Sequence, residues 1–126
     1  MPLHLQKFIY RVDLRANPTV LYAFGDNVER WGRGGQAAEM RDEPNAVGIA
    51  TLWAPGRFFS DDRLTEQAAI IDTDMEPLFE ALRAGRDVVF PADGVGTGLA
   101  DLATRSPATF NHLQARIEVL RKLGGL

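Results

Sequence analysis

The chain has 126 residues and a mass of 13.9 kDa, which predicts one domain spanning 1–126 with a core of useful size. A hydrophobic fraction of 45% and a charged fraction of 25% exclude the polar composition of a disordered chain. A net charge of −3 and a pI near 5.3 exclude a global positive field for a nucleic-acid backbone or an anionic membrane, so an anionic ligand would have to be held locally.

The first predicted element is a strand over Lys7–Leu14, where apolar and polar residues alternate, ended by Asn17 and Pro18. Val20–Phe24 is a second strand, apolar throughout as in a strand covered on both faces, and it runs into the turn formers Gly25, Asp26 and Asn27. A short helix is expected from Gly35 or Gln36 through Arg41, ended by Pro44. Ala46–Ala54 reads as a third strand, broken by Pro55 and Gly56.

Apolar residues at 64, 68, 71, 75, 78 and 82 then form one stripe of a helix capped by Gly85, with Pro77 predicting a kink or restart near Thr73. Asp87–Ala92 is a buried strand followed by a glycine-rich loop. Ser106 and Pro107 supply an N-cap and first-turn proline for a last helix, whose buried face is Phe110, Leu113, Ile117, Leu120 and Leu123. This order predicts an α/β fold of three layers, a mostly parallel sheet with helices on both faces, and ligands beyond the carboxyl ends of its strands.

Two loops meet that condition: "GDNVERWGRGGQA" after the second strand and "PADGVGTGLA" after the fourth. Glycines permit positive φ, so main-chain N–H groups can converge on an anion, and a helix starting near Gln36 adds its positive end. The alternative for each loop taken singly is an ordinary turn. Neither loop is a P-loop or a GxGxxG fingerprint, and no lysine and metal-ligand set for phosphoryl transfer accompanies them.

His4 and His112 stand far apart and no cysteine is present, so no metal and no cofactor are expected. The first residues lack an apolar signal core and no stretch has the length of a membrane span, which predicts a cytoplasmic protein with no membrane partner.

The arrangement resembles a macrodomain, the α/β fold that binds ADP-ribose between two such loops, and in particular the branch that reverses ADP-ribosylation of nucleic acid. The resemblance is carried by Asp13-Leu14 spaced about fourteen residues ahead of Asn27, by "WGRGGQAAEMR", and by "VVFPADGVGTGLADL". The order FGDN, GGQA, EPNA, GTGLA is also similar to a small group of bacterial and phage proteins.

The resemblance implies that Asp13 accepts from an adenine amino group and that Asn27 reaches the distal ribose; the alternatives are a strand-end surface carboxylate for Asp13 and a turn residue or cap for Asn27. It implies that Gly32, Arg33, Gly34, Gly35 and Gln36 line that ribose and the diphosphate, and that Asp93, Gly94, Val95, Gly96, Thr97, Gly98 and Leu99 clamp the diphosphate. It departs from the family at Val12, where glycine is usual, at Leu52 and Trp53, where the nucleic-acid branch has a lysine, and at Ala100, where an aspartate follows "GxGL".

Without that lysine a Schiff-base route is closed, so any hydrolysis would rest on Asp26, Asn27 or Asp101 positioning water. Arg57 and Phe58 are candidates for phosphate pairing and base stacking; the alternative is that Phe58 or Phe59 packs under the loop while Arg57 is solvated. The sequence thus points to a binder of ADP-ribose or a related nucleotide, with ADP-ribosylated nucleic acid or protein as a partner if it is a hydrolase. A metal-independent glycosidase or transferase on another nucleotide-sugar, using Asp26 or Asp93 as base, and a partner-binding module without a small ligand, are the alternatives.

Overall fold

The computed structural model describes residues 2–126. In chain order they form β1 (Leu3–Gln6), α1 (Arg11–Ala16), β2 (Leu21–Asp26), α2 (Ala37–Met40), β3 (Ala46–Ala50), β4 (Leu52–Ala54), β5 (Arg57–Phe58), α3 (Leu64–Arg83), β6 (Val88–Pro91), α4 (Leu102–Arg105) and α5 (Pro107–Leu123). Four strands make one all-parallel sheet in the order β1-β6-β2-β3, and β4 pairs with β5 antiparallel in a separate ribbon.

The side-chain alternation of β2 divides the protein into three layers. Leu21 and Ala23 join Ile49, Val88 and Phe90 beneath α3 and α5, against Ile71, Met75, Leu78, Leu82, Leu113 and Leu120. Tyr22 and Phe24 point the other way and pack with Val89 against Leu14 of α1 and Ala37 and Met40 of α2. Burial on both faces explains the unbroken apolar run of this strand. Each fully buried leucine or isoleucine stabilises these layers by about 1.5–3 kcal/mol.

The first strand lies earlier than its alternation predicts. Residues 7–14 do not form a strand; Leu3–Gln6 does, and Arg11–Ala16 is helical. Of the apolar residues in that alternation, Phe8, Tyr10 and Val12 are exposed and only Leu14 is buried, so no sheet face rewards the pattern. The Asp13 carboxylate accepts from the Tyr10 amide at 2.9 Å, a local bond that turns the chain into the helix. Helix α1 is tied to the end of α2 by Glu43, which Arg11 meets at 2.5 Å and Arg15 at 3.3 Å.

The predicted third strand is two strands. The Thr51 amide makes a bond to the Asp26 carbonyl (2.9 Å), after which Leu52–Ala54 leaves the sheet and folds back on Arg57–Phe58 through Gly56 at φ +79°. Helix α3 runs from Leu64 to Arg83 without a restart at Thr73. Thr73 and Pro77 are both exposed, so the carbonyl deprived of its partner faces water rather than the core.

Ser106 does not cap α5 with its side chain. Asp61, in a 3₁₀ turn ahead of α3, accepts from the Ala108 amide at 2.9 Å and from the Ser106 hydroxyl at 3.1 Å, capping the helix from across the fold. Asp61→Ala is expected to lower stability by about 0.5–2 kcal/mol, read as a shift in the denaturation midpoint at unchanged slope, whereas Asp62→Ala should have no such effect.

Candidate functional site

Strands β2 and β6 are parallel neighbours, with Leu21 beside Val88 and Tyr22 beside Val89. Their glycine-rich loops therefore leave the same edge of the sheet. The chain passes from β2 to α2 on one face and from β6 toward α5 on the other, which opens a crevice at the point where the connections diverge. A cleft of about 550 Å³ lies there, within the size range of small-molecule sites.

The structure brings Asp26, Asn27, Arg33, Gly34, Gly35 and Gln36 to one wall, and Asp93, Gly96, Thr97, Gly98 and Leu99 to the other. Val95 is buried in the core below, and Gly94 faces a second hollow between β6 and α5 that Asp93 also borders. Asp13, Arg57, Phe58 and Asp101 do not line the cleft.

Among the described residues, the amides of residues 31–36 and 95–100 donate to no protein acceptor. Gly32, Gly35, Gly94 and Gly96 hold positive φ, the backbone geometry in which successive N–H groups can form an anion-binding concavity. Glycine is required at position 96: its φ is +74°, and a Cβ there would lie 3.0 Å from the Thr51 side chain.

Asp26 ends β2 almost fully buried, and it is already paired. Arg41 meets both its oxygens, Nη1 at 3.3 Å from Oδ2 and Nη2 on Oδ1, while the Asn27 amide donates to Oδ1 at 2.8 Å and Arg30 lies 3.7 Å from Oδ2. The Nε of Arg41 donates to the Gly32 carbonyl at 2.6 Å, so one guanidinium fixes both the strand end and the loop. Arg30 extends the network to Asp74 at 2.6 Å, whose other oxygen accepts the Ala50 amide at 2.8 Å. A Cβ on Gly48 would stand 2.5 Å from Asp26 Oδ2, so β3 needs glycine where it passes this pair. Arg41 lacks any motif in the sequence that distinguishes it from a solvated arginine.

Gln36 has both ends of its amide engaged. Its Oε1 accepts from the Gly25 amide at 2.7 Å and its Nε2 donates to the Gly94 carbonyl at 3.1 Å, a bridge between the two loops. Asn27 donates through Nδ2 to the Trp31 carbonyl at 2.7 Å, but its Oδ1 is buried with no partner among the described residues. A buried amide oxygen left unpaired carries a free-energy cost, which a hydroxyl or N–H from a ligand would remove. Arg33 is exposed and pairs with Asp42. Asp93 is exposed and has no side-chain partner among the described residues.

The predicted residues outside the cleft have other partners. The Asp13 carboxylate accepts from Gln6 Nε2 at 3.0 Å as well as from the Tyr10 amide, and its carbonyl accepts the Tyr22 hydroxyl at 3.3 Å. Burial pushes that hydroxyl above its usual range, against the hydrogen bond from Asn17, and the Asp13 charge adds to the rise. Desolvation also pushes the Glu43 carboxyl up, but the hydrogen bonds and charges of Arg15 and Arg11 outweigh it and hold it below the ordinary value.

Arg57 pairs with Glu29 at 3.1 Å, and the Arg105 guanidinium stacks on Phe58 at 3.6 Å. Asp101 takes a left-handed conformation ahead of α4 (φ +46°) and accepts the Arg105 amide through its carbonyl.

No group of three or more His, Asp or Glu side chains suited to a metal ion occurs among the described residues, and no helix is long and apolar enough to cross a membrane. No curated protein and no solved structure matches the chain. The model of a family of unknown function, DUF7831, matches residues 4–116, most of the sequence, and the chain belongs to that family.

Proposed function

We propose that the cleft binds ADP-ribose or a related nucleotide derivative, with the diphosphate between the two glycine-rich loops and the distal ribose at Asn27. The observation that carries this reading is the pair of undonated amide runs, residues 31–36 and 95–100, on opposite walls of one cleft. They offer donors to an anion where the protein as a whole, at −3, offers no attraction. The unpaired Asn27 Oδ1 supports a sugar hydroxyl beside them, since it needs a donor and the cleft wall supplies none. In this reading the side chains of Gln36 and Arg41 do not touch the ligand but hold the loops that do.

Binding is favoured over bond cleavage by the state of the carboxylates. Asp26 is closed off by Arg41 and Asp101 lies outside the cleft, which leaves Asp93 as the lining carboxylate free of a side-chain partner among the described residues. If ADP-ribosyl groups are removed from nucleic acid or protein, Asp93 is the lining carboxylate left to activate water. We place the protein in the cytoplasm, where a cysteine-free chain is indifferent to the reducing environment.

Titration calorimetry tests the reading. ADP-ribose is expected to bind with micromolar affinity, about −8 kcal/mol, and more tightly than AMP, which fills only part of the cleft. Absence of heat with both nucleotides, from folded protein, would count decisively against a nucleotide site.

A further inference from the structure

Trp31 lines the cleft with 53% of its surface exposed, yet it is held firmly. Its Nε1 donates to Glu29 Oε1 at 3.1 Å, and the other oxygen of Glu29 accepts from Arg57 at 3.1 Å. The Glu29 amide is anchored on the Trp53 carbonyl at 3.2 Å, and the Trp31 carbonyl receives Asn27 Nδ2. The indole is thus fixed at its N–H edge and at its backbone while about half of the residue stays exposed at the cleft. On the other wall Leu99, also lining the cleft, is 90% exposed. Two large apolar side chains left open at one small-molecule cleft are unlike scattered surface residues, because covering them would release their hydration cost.

Resting on the diphosphate-binding reading above, we propose that Trp31 is a stacking platform for a planar aromatic ring carried on the ligand's terminal ribose, so that the preferred ligand is a dinucleotide rather than ADP-ribose. Two observations and one general property of indoles support this. Asn27, whose free Oδ1 suits the ribose, is bonded directly to the Trp31 backbone, and both residues line the same cleft. The face of an indole attracts a cationic ring. The net charge of −3 also suits a positive group better than a further phosphate. A pyridinium ring satisfies all three, and Arg57 acts here through Glu29 as a positioning residue.

The probes are NAD⁺, NADH and ADP-ribose, which differ at the group on the terminal ribose, titrated calorimetrically into the wild type, Trp31→Ala and Trp31→Phe. The wild type is expected to bind NAD⁺ roughly 5- to 150-fold more tightly than ADP-ribose, the increment of one stacked ring, with NADH between them. In Trp31→Ala the NAD⁺ to ADP-ribose ratio should fall to near one, and in Trp31→Phe most of it should remain; melting curves verify that both variants fold.

Equal affinity of the wild type for NAD⁺ and ADP-ribose overturns the proposal while leaving the diphosphate site standing. So does a ratio that survives Trp31→Ala, or a loss of both ligands in equal proportion, which would assign the indole to the adenine end or to the wall. If no nucleotide binds, the diphosphate site and this proposal fall together.

Discussion

Replacing Arg41 by alanine is expected to destabilise the protein by about 3–5 kcal/mol, the effect of leaving a buried carboxylate without its cation. The side chains of Arg41 and Asp26 are 11% and 4% exposed, so water cannot readily replace the lost partner. The same change frees the Gly32 and Trp31 carbonyls from the guanidinium, and the first glycine loop loses its tether. Lysine should recover only part of the loss, because an ammonium cannot span both Asp26 oxygens while also donating to Gly32. Denaturant unfolding gives the magnitude. A loss below about 1 kcal/mol would mean that the pair behaves as an exposed salt bridge and does not organise the cleft.

Valine at Gly34 or at Gly98 is expected to abolish nucleotide binding while leaving the fold intact. Neither glycine has positive φ, and a Cβ at either position meets nothing within 4 Å, so the side chain enters open space without straining the backbone. Both residues line the cleft and lie within the amide runs assigned to the diphosphate. Blocking two charge-assisted hydrogen bonds at about 1.5–3 kcal/mol each predicts an affinity loss of 100-fold or more. Unchanged affinity for ADP-ribose in both variants would remove these loops from the site. Gly96→Val is not an equivalent test, since the contact with Thr51 and the positive φ would disturb the fold itself.

The two predictions concern different kinds of residue, and the sequence treats them differently. Gly34 and Gly98 announce themselves as glycines clustered after apolar runs. Arg41 and Asp26 are fifteen positions apart in chain order, and their pairing is visible only when α2 folds back over the end of β2. The same holds for Asp61, forty-seven residues from the amide it caps, and for Gln36, which reaches the second loop across fifty-eight. Asn27 was visible as a candidate, but not that one of its amide atoms is satisfied and the other is not.

By itself the sequence determined the layered α/β class, the apolar strands that become β2 and β6, the helical stripes of α3 and α5, and the two glycine-rich loops. All of these follow from periodicity and composition within a window of a few residues, where burial on one face or two leaves a direct trace. It placed the first strand wrongly because a period-two pattern records alternation and not which side is covered; the Asp13–Tyr10 bond and the absence of a sheet against Phe8, Tyr10 and Val12 settled that segment as a turn and helix.

Only the tertiary structure decided that β6 inserts between β1 and β2, which makes the two loops the walls of one cleft. It alone decided that Asp26 is clamped by Arg41, that Asp13 and Asp101 stand outside, and that Trp31 lines the cleft. Strand adjacency and charge pairing are set by distances through space, to which separation along the chain is no guide.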